Sequence, residues 1–219
     1  MLKFSSRTES WNMMMLAPSA TAAKHARRTE LGFMDGLENF GTPIIMVYLP
    51  LLLITFALSG NFNLFVLAAI LAGLAFTILW IFLVSFAFTA LSYGVGILLG
   101  GNVRIGRLYY MISLASAPTF IFTLVMNVAS VVLKAILAMI WPPSDALNFL
   151  SLAGDLVAVA MTIYGMYLLT VSMDALYKSG KLKATAIWLV PLAILLGLAV
   201  TVFGTIIVAA AISSTLSPL

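Results

Sequence analysis

His25 is the single histidine of the chain, and cysteine is absent. Disulfides, thiolate metal sites and cysteine nucleophiles are therefore excluded, as are a buried Ser–His pair and a histidine metal site. An intramembrane aspartyl pair would need two carboxylates close together. Asp155 and Asp174 lie ~28 Å apart along a helix, so they fall near opposite faces of a bilayer. Gly94, Gly96, Gly100 and Gly101 do not form a phosphate-binding loop, because no Lys-Ser/Thr pair follows and no strand–helix alternation surrounds them. No catalytic set, cofactor site or metal site is expected, and the chain reads as non-enzymatic. The basic run Lys24 to Arg28 is short and is balanced by Glu30, Asp35 and Glu38, so nucleic-acid binding is not expected.

Ionisable residues within apolar sequence are the remaining suspects for chemistry. Lys134 lies ~40 Å beyond Arg107 on a straight helix, and Asp155 ~35 Å before Lys178. Both reach the outer boundary of a bilayer, where a Lys134–Asp155 pair would join the third and fourth membrane helices. A structural pair is the first reading and an ion or substrate pathway the second. Asp174 stands four residues before Lys178 and is expected to make an ordinary helix pair with it. Pro118 lacks an amide hydrogen and crowds the Leu114 carbonyl, so a kink is expected, with Ser113 and Ser116 available to the freed backbone groups. The kink is first a matter of packing shape and second a gating hinge. Gly96 and Gly100 have the spacing of close helix approach, and Gly101-Asn102 is expected to end the helix.

The elements that must position these residues are membrane helices. Of 219 residues, 63% are apolar and 8% charged, against about 25% charged in a soluble domain. No charged residue occurs between Glu38 and Arg104, between Arg107 and Lys134, or after Lys183. Such runs read as membrane spans. The expected fold is an all-α polytopic membrane bundle of five spans, at about 42–59, 64–99, 108–134, 148–173 and 184–212, in a transmembrane domain of 42–212. Gly60-Asn61-Phe62-Asn63 closes the first span, and Ser144 after Trp141-Pro142-Pro143 is the N-cap candidate of the fourth. The second stretch could reach ~54 Å as one helix, so one long or bent helix competes with two short spans.

Positive charge decides between these counts. With five spans and a cytoplasmic amino terminus, Lys3, Arg7, Lys24, Arg27, Arg28, Arg104, Arg107, Lys178, Lys181 and Lys183 all lie inside, leaving only Lys134. Six spans would split them evenly. Residues 213–219 then form a short outer tail. Tyr109, Tyr110, Tyr177 and Trp188 are expected at the inner interface and Trp141 at the outer one.

Residues 1–41 form a basic amphipathic cytoplasmic arm. Trp11, Met13, Met14, Met15 and Leu16 make an apolar patch ahead of Lys24, Arg27 and Arg28, and Leu31, Phe33, Met34 and Leu37 extend it. The arm is expected to lie on an anionic inner leaflet, apolar side down, rather than to be a solvated tail. Lys3, Arg7 and the small residues Ala20-Thr21-Ala22 resemble parts of a cleavable leader, but Glu9 flanks too short an apolar core, so the segment reads as an arm.

The order of features resembles the Yip-domain family of five-span Ypt/Rab-interacting membrane proteins. Leu98-Leu99-Gly100-Gly101 before Arg104 and Arg107 is similar to that family's Gly-Gly loop. Tyr109-Tyr110-Met111-Ile112-Ser113-Leu114-Ala115-Ser116-Ala117-Pro118 resembles the start of its third span, and Tyr177-Lys178 through Lys183-Ala184 its last basic loop. Leu16-Ala17-Pro18-Ser19 is similar to the arm of prokaryotic members. The likeness covers most of residues 10–212, and its motifs are degenerate and mostly apolar. It implies a non-enzymatic membrane protein, which in eukaryotes serves ER–Golgi vesicle traffic with prenylated Rab-type GTPases. The short basic arm departs from those members and suits a prokaryotic one.

The expected role is a membrane scaffold or accessory protein in membrane organisation or trafficking, with a transporter or channel component as the alternative. Its expected partners are an anionic inner leaflet and another membrane protein or a second copy. The expected site is the cell's inner (plasma) membrane, or ER/Golgi membrane in a eukaryote.

Overall fold

The computed structural model describes residues 2–43, 45, 64–140 and 145–215. Most of the first expected span, the Gly60–Asn63 turn, Trp141 to Ser144 and the end of the tail lie outside the described residues. So does the Lys134 side chain, and with it the Lys134–Asp155 pair.

The described residues are all helical apart from short turns. Three helices come first: α1 (Leu2–Leu16), α2 (Pro18–Ala26) and α3 (Phe33–Pro43). Four long ones follow: α4 (Leu64–Leu98), α5 (Ile105–Ile140), α6 (Asp145–Tyr177) and α7 (Lys181–Thr215). In α4, 35 residues carry no charge, so nothing but lipid or protein solvates its side chains. A helix is the form in which such a segment satisfies its own backbone. It also settles the second stretch as one continuous helix, ~52 Å long by its rise and longer than the ~30 Å hydrocarbon core. Among the described residues, Leu71–Leu98, Gly154–Tyr177 and Lys181–Ile207 are long and apolar enough to cross a membrane. The chain has the build of a membrane protein.

Turn chemistry sets where the long helices stop. Gly100 takes φ +86°. Its amide donates to the Ile97 carbonyl, and the Gly101 amide to the Gly96 carbonyl, each at 2.9 Å. Those bonds satisfy two orphan carbonyls at the end of α4. Gly100 is thus the left-handed residue of the cap, where Gly101-Asn102 had been expected to end the helix. At the α6–α7 turn, Lys178 and Gly180 have φ of 51° and 81°. The Asp174 carboxylate accepts the Gly180 amide at 2.8 Å, so it closes this turn rather than serving simply as a partner for Lys178.

The long helices close a ring in which α5 packs on α6, α6 on α7, α7 on α4, and α4 more lightly on α5. Large apolar side chains of α4 and α7, including Phe76, Leu79, Val200 and Phe203, point outward from it. The best-packed core lies at one end of the bundle. There Trp11, Met14, Ala22 and Phe40 from the first three helices bury themselves with Leu108, Tyr109, Met111, Leu168 and Trp188. Met14, Phe40, Leu108, Met111 and Leu168 each contribute about 1.5–3 kcal/mol when fully buried. The arm is therefore part of the fold. Trp11 and Met14 face protein, whereas Met13, Leu16 and Met34 stay exposed.

Candidate functional site

The arm docks through α3 on α5, α2 on α6 and α1 on α5. Two glycines permit the approach. A Cβ on Gly36 would stand 2.4 Å from Tyr109 Cδ1, and one on Gly106 would stand 3.2 Å from the Phe33 amide nitrogen. Tyr109 fills the space that Gly36 leaves, with its ring centroid 4.6 Å from that of Phe33 and 5.9 Å from that of Phe40. Its hydroxyl lies 3.2 Å from Ser85 Oγ on α4, so one side chain ties three helices together.

A polar chain runs beside this contact. The Tyr110 hydroxyl lies 2.7 Å from His25 Nδ1. Ser113 Oγ donates to the Tyr110 carbonyl at 2.7 Å, and Asn39 Nδ2 donates to Ser113 Oγ at 3.2 Å. His25, Asn39, Tyr110 and Ser113 are all buried. Burial, then the charges of Arg28 and Lys24, pull the His25 pKa from 6.5 to about 4, so the ring is neutral at pH 7. Two further bonds pin the arm. The Arg107 guanidinium donates to the Ala26 carbonyl at the carboxyl end of α2, where a cation also suits the helix dipole. The Tyr164 hydroxyl donates to the Met15 carbonyl at 2.5 Å.

A cavity of about 350 Å³ lies among α1, α2 and α3, with Tyr110 of α5 lining its bundle side. His25, Asn39 and Tyr110 form its buried side, and Lys24, Arg28, Glu9 and Asp35 bring both signs of charge to it. Asp35 is held in place because its carboxylate accepts the Gly32 amide at 3.0 Å. A second cavity, of about 360 Å³, opens between the long helices beside Pro118 and is lined by Ser116, Thr119, Thr123, Thr162, Phe88 and Trp188, among others.

The structure distributes the residues singled out in the sequence differently. Lys24, Arg27, Arg28, Arg104, Lys178, Lys181 and Lys183 are exposed, and all belong to the arm or to the two turns at its end of the bundle. Arg107 is not among them, because it turns inward onto α2. Tyr109, Tyr110 and Trp188 face protein rather than lipid: they are 1%, 7% and 4% exposed, and each hydrogen-bonds inside the protein. Gly96 and Gly101 form a notch for Tyr177, since a Cβ on either would come within 2.5 Å of that side chain. Gly100 meets nothing within 4 Å and serves the turn alone. Pro118 is buried within a continuous α5. Ser113 bonds to the Tyr110 carbonyl rather than to the Leu114 carbonyl that Pro118 crowds. Asp155 is exposed on α6. Pro191, buried within α7, and the glycines under the arm carried no signal beyond their residue type.

No family model, curated protein or solved structure matches the chain.

Proposed function

We propose that this protein is a non-enzymatic membrane scaffold or accessory subunit of the Yip-domain type, and a prokaryotic member of it. In this reading it crosses the plasma membrane five times with its amino terminus in the cytoplasm. The observation that carries the proposal is the docked arm. Because α1, α2 and α3 are packed on the bundle, the exposed cations of the arm and of both adjacent turns gather at that one end of it, a basic face in this reading. A cation near an anionic leaflet contributes about 1 kcal/mol, so Lys24, Arg27, Arg28, Arg104, Lys178, Lys181 and Lys183 together hold that face against the headgroups. Lipid is one partner, and a second membrane protein or another copy of the chain is the other. Scaffolding uses such a face without any chemical step.

The test is capture from the source membrane in native nanodiscs, read by mass spectrometry. A stoichiometric partner that is lost when Arg27, Arg104 and Lys181 are changed to Gln supports the scaffold. Capture of nothing, or of a partner indifferent to those changes, contradicts it.

The cavity beside Pro118 favours a second reading, a transporter or channel component. Hydroxyls of Ser116, Thr119, Thr123 and Thr162 line it at a level where α5 carries a proline. Reconstituted flux above empty liposomes, lost on Asp155→Asn or Thr119→Val, would rank this reading first.

A further inference from the structure

The cavity that the arm helices form over Tyr110 has the chemistry of a ligand site, and it shares Lys24 and Arg28 with the basic face. Its volume of about 350 Å³ falls in the range of small-ligand pockets, ~300–1,000 Å³. Its buried side offers the Tyr110 hydroxyl, a neutral His25 ring and the Asn39 amide. Those groups, bonded to each other and to Ser113, make that side polar without adding charge. Charge comes from Lys24 and Arg28 on the one hand and from Glu9 and Asp35 on the other. A simple anion would meet two carboxylates here, and a simple cation would meet a lysine and an arginine. The complementary ligand carries both signs close together.

Depth narrows the choice. Tyr110 stands five residues into α5 from Ile105, ~8 Å along the axis. The polar headgroup layer occupies roughly 5–8 Å on each side of the hydrocarbon. In the membrane reading proposed above, the cavity sits at the cytoplasmic end of the bundle, beside the headgroup layer. Ring chemistry narrows it further. Quaternary ammonium groups are held by cages of several aromatic faces, and among the described lining residues Tyr110 is the only phenyl-type ring. Carboxylates such as Glu9 and Asp35 instead accept hydrogen bonds from a primary ammonium.

We propose that this cavity binds a phosphoethanolamine group, with Lys24 and Arg28 on the phosphate and Glu9 and Asp35 on the primary ammonium. A phosphatidylethanolamine headgroup is the source that the cavity's depth favours, and a soluble phosphoethanolamine compound would present the same chemistry. The proposal rests on the membrane reading and on the docked arm; its test changes Lys24 and Arg28, which the scaffold test leaves in place, so either can fail alone. Binding would clamp α2 against α1 and α3, because Lys24 and Arg28 belong to α2 or its end, Glu9 to α1 and Asp35 to α3.

Hydrogen exchange at the α2 amides of the full chain tests this in nanodiscs of phosphatidylcholine, alone or mixed with phosphatidylethanolamine or with phosphatidylglycerol. Exchange slows about tenfold once the ligand is about ten times over its Kd. The expected result is that slowing with phosphatidylethanolamine only, lost in the Lys24→Gln/Arg28→Gln variant. In Glu9→Gln/Asp35→Asn the preference for ethanolamine over choline disappears. Equal slowing by phosphatidylglycerol would overturn the proposal, as would no slowing by any lipid or by added glycerophosphoethanolamine. Slowing by glycerophosphoethanolamine in phosphatidylcholine discs, without any by the lipid, would keep the chemistry and overturn the lipid source. All four substituted side chains are away from the buried core, and wild-type exchange at α5 checks that each variant is folded.

Discussion

The Tyr110 hydroxyl and His25 Nδ1 meet at 2.7 Å across 85 residues of sequence, and both side chains are buried. This bond joins the arm to the first turns of a long apolar helix. A buried polar group left without its partner costs about 1–3 kcal/mol. Tyr110→Phe removes the hydroxyl and strands the imidazole, so the α2 amides should exchange faster while those of α6 and α7 hold their rates. Unchanged α2 exchange would show that the bond does not hold the arm.

The same histidine makes docking depend on pH. Burial first, then Arg28 and Lys24, lower its pKa to about 4 in the docked state, and an undocked arm returns to the ordinary 6.5. The docked form thus disfavours the proton. Its advantage is complete above about pH 6.5 and is lost progressively as the pH falls toward 4. Trp11 emission should report opening of the arm over that window, and His25→Gln should flatten the profile. A wild-type profile level from pH 7 to about 4.5 would contradict the assignment.

Gly36 should tolerate nothing larger. Its Cβ would stand 2.4 Å from the Tyr109 ring, which Phe33, Phe40 and Ser85 hold from other sides. Overpacking of this kind costs about 1–3 kcal/mol, so Gly36→Ala should weaken the arm contact and Gly36→Val should release α3. Gly94→Ala is the contrast, with nothing within 4 Å of its Cβ. It should be neutral or raise stability by about 0.5–1 kcal/mol, as in any helix interior. Melting curves in a fixed detergent compare the two sites.

Arg107 and Arg27 should separate a docking cation from a surface one. Arg107 donates to the last carbonyl of α2, while Arg27 is exposed. Arg107→Ala removes a charged hydrogen bond, a loss of about 1.5–3 kcal/mol. Arg27→Ala should stay within about 0.5 kcal/mol. Partial recovery in Arg107→Lys would show that the charge at the helix end matters beyond the guanidinium geometry. Equal effects at the two sites would contradict the inward placement of Arg107.

Charge-free runs made the helical membrane build legible. In α4, and in α7 beyond Lys183, the residue types leave no charged surface, and no other backbone form suits such a segment in lipid. The arm was not legible in the same way. Its apolar patch is expected to face lipid, yet Trp11 and Met14 are buried against protein, because they carry no mark of the surface they will meet. What decides is a fit between distant parts: Gly36 against Tyr109, Gly106 against Phe33, and His25 against Tyr110. None of these pairs has a sequence spacing that predicts contact. His25 shows the point most clearly. It stands in a basic run, and only the fold makes it a buried neutral group.

The central claim is that the arm and the two basic turns share one face on one side of the membrane. The chain has no cysteine, so Arg27→Cys, Arg104→Cys and Lys181→Cys each place a single thiol on an exposed site. The measurement is their labelling by a membrane-impermeant maleimide, in intact cells and in inverted vesicles. The expected result is protection of all three in intact cells and labelling of all three in inverted vesicles. Labelling of Lys181→Cys from the side opposite Arg27→Cys would contradict the claim.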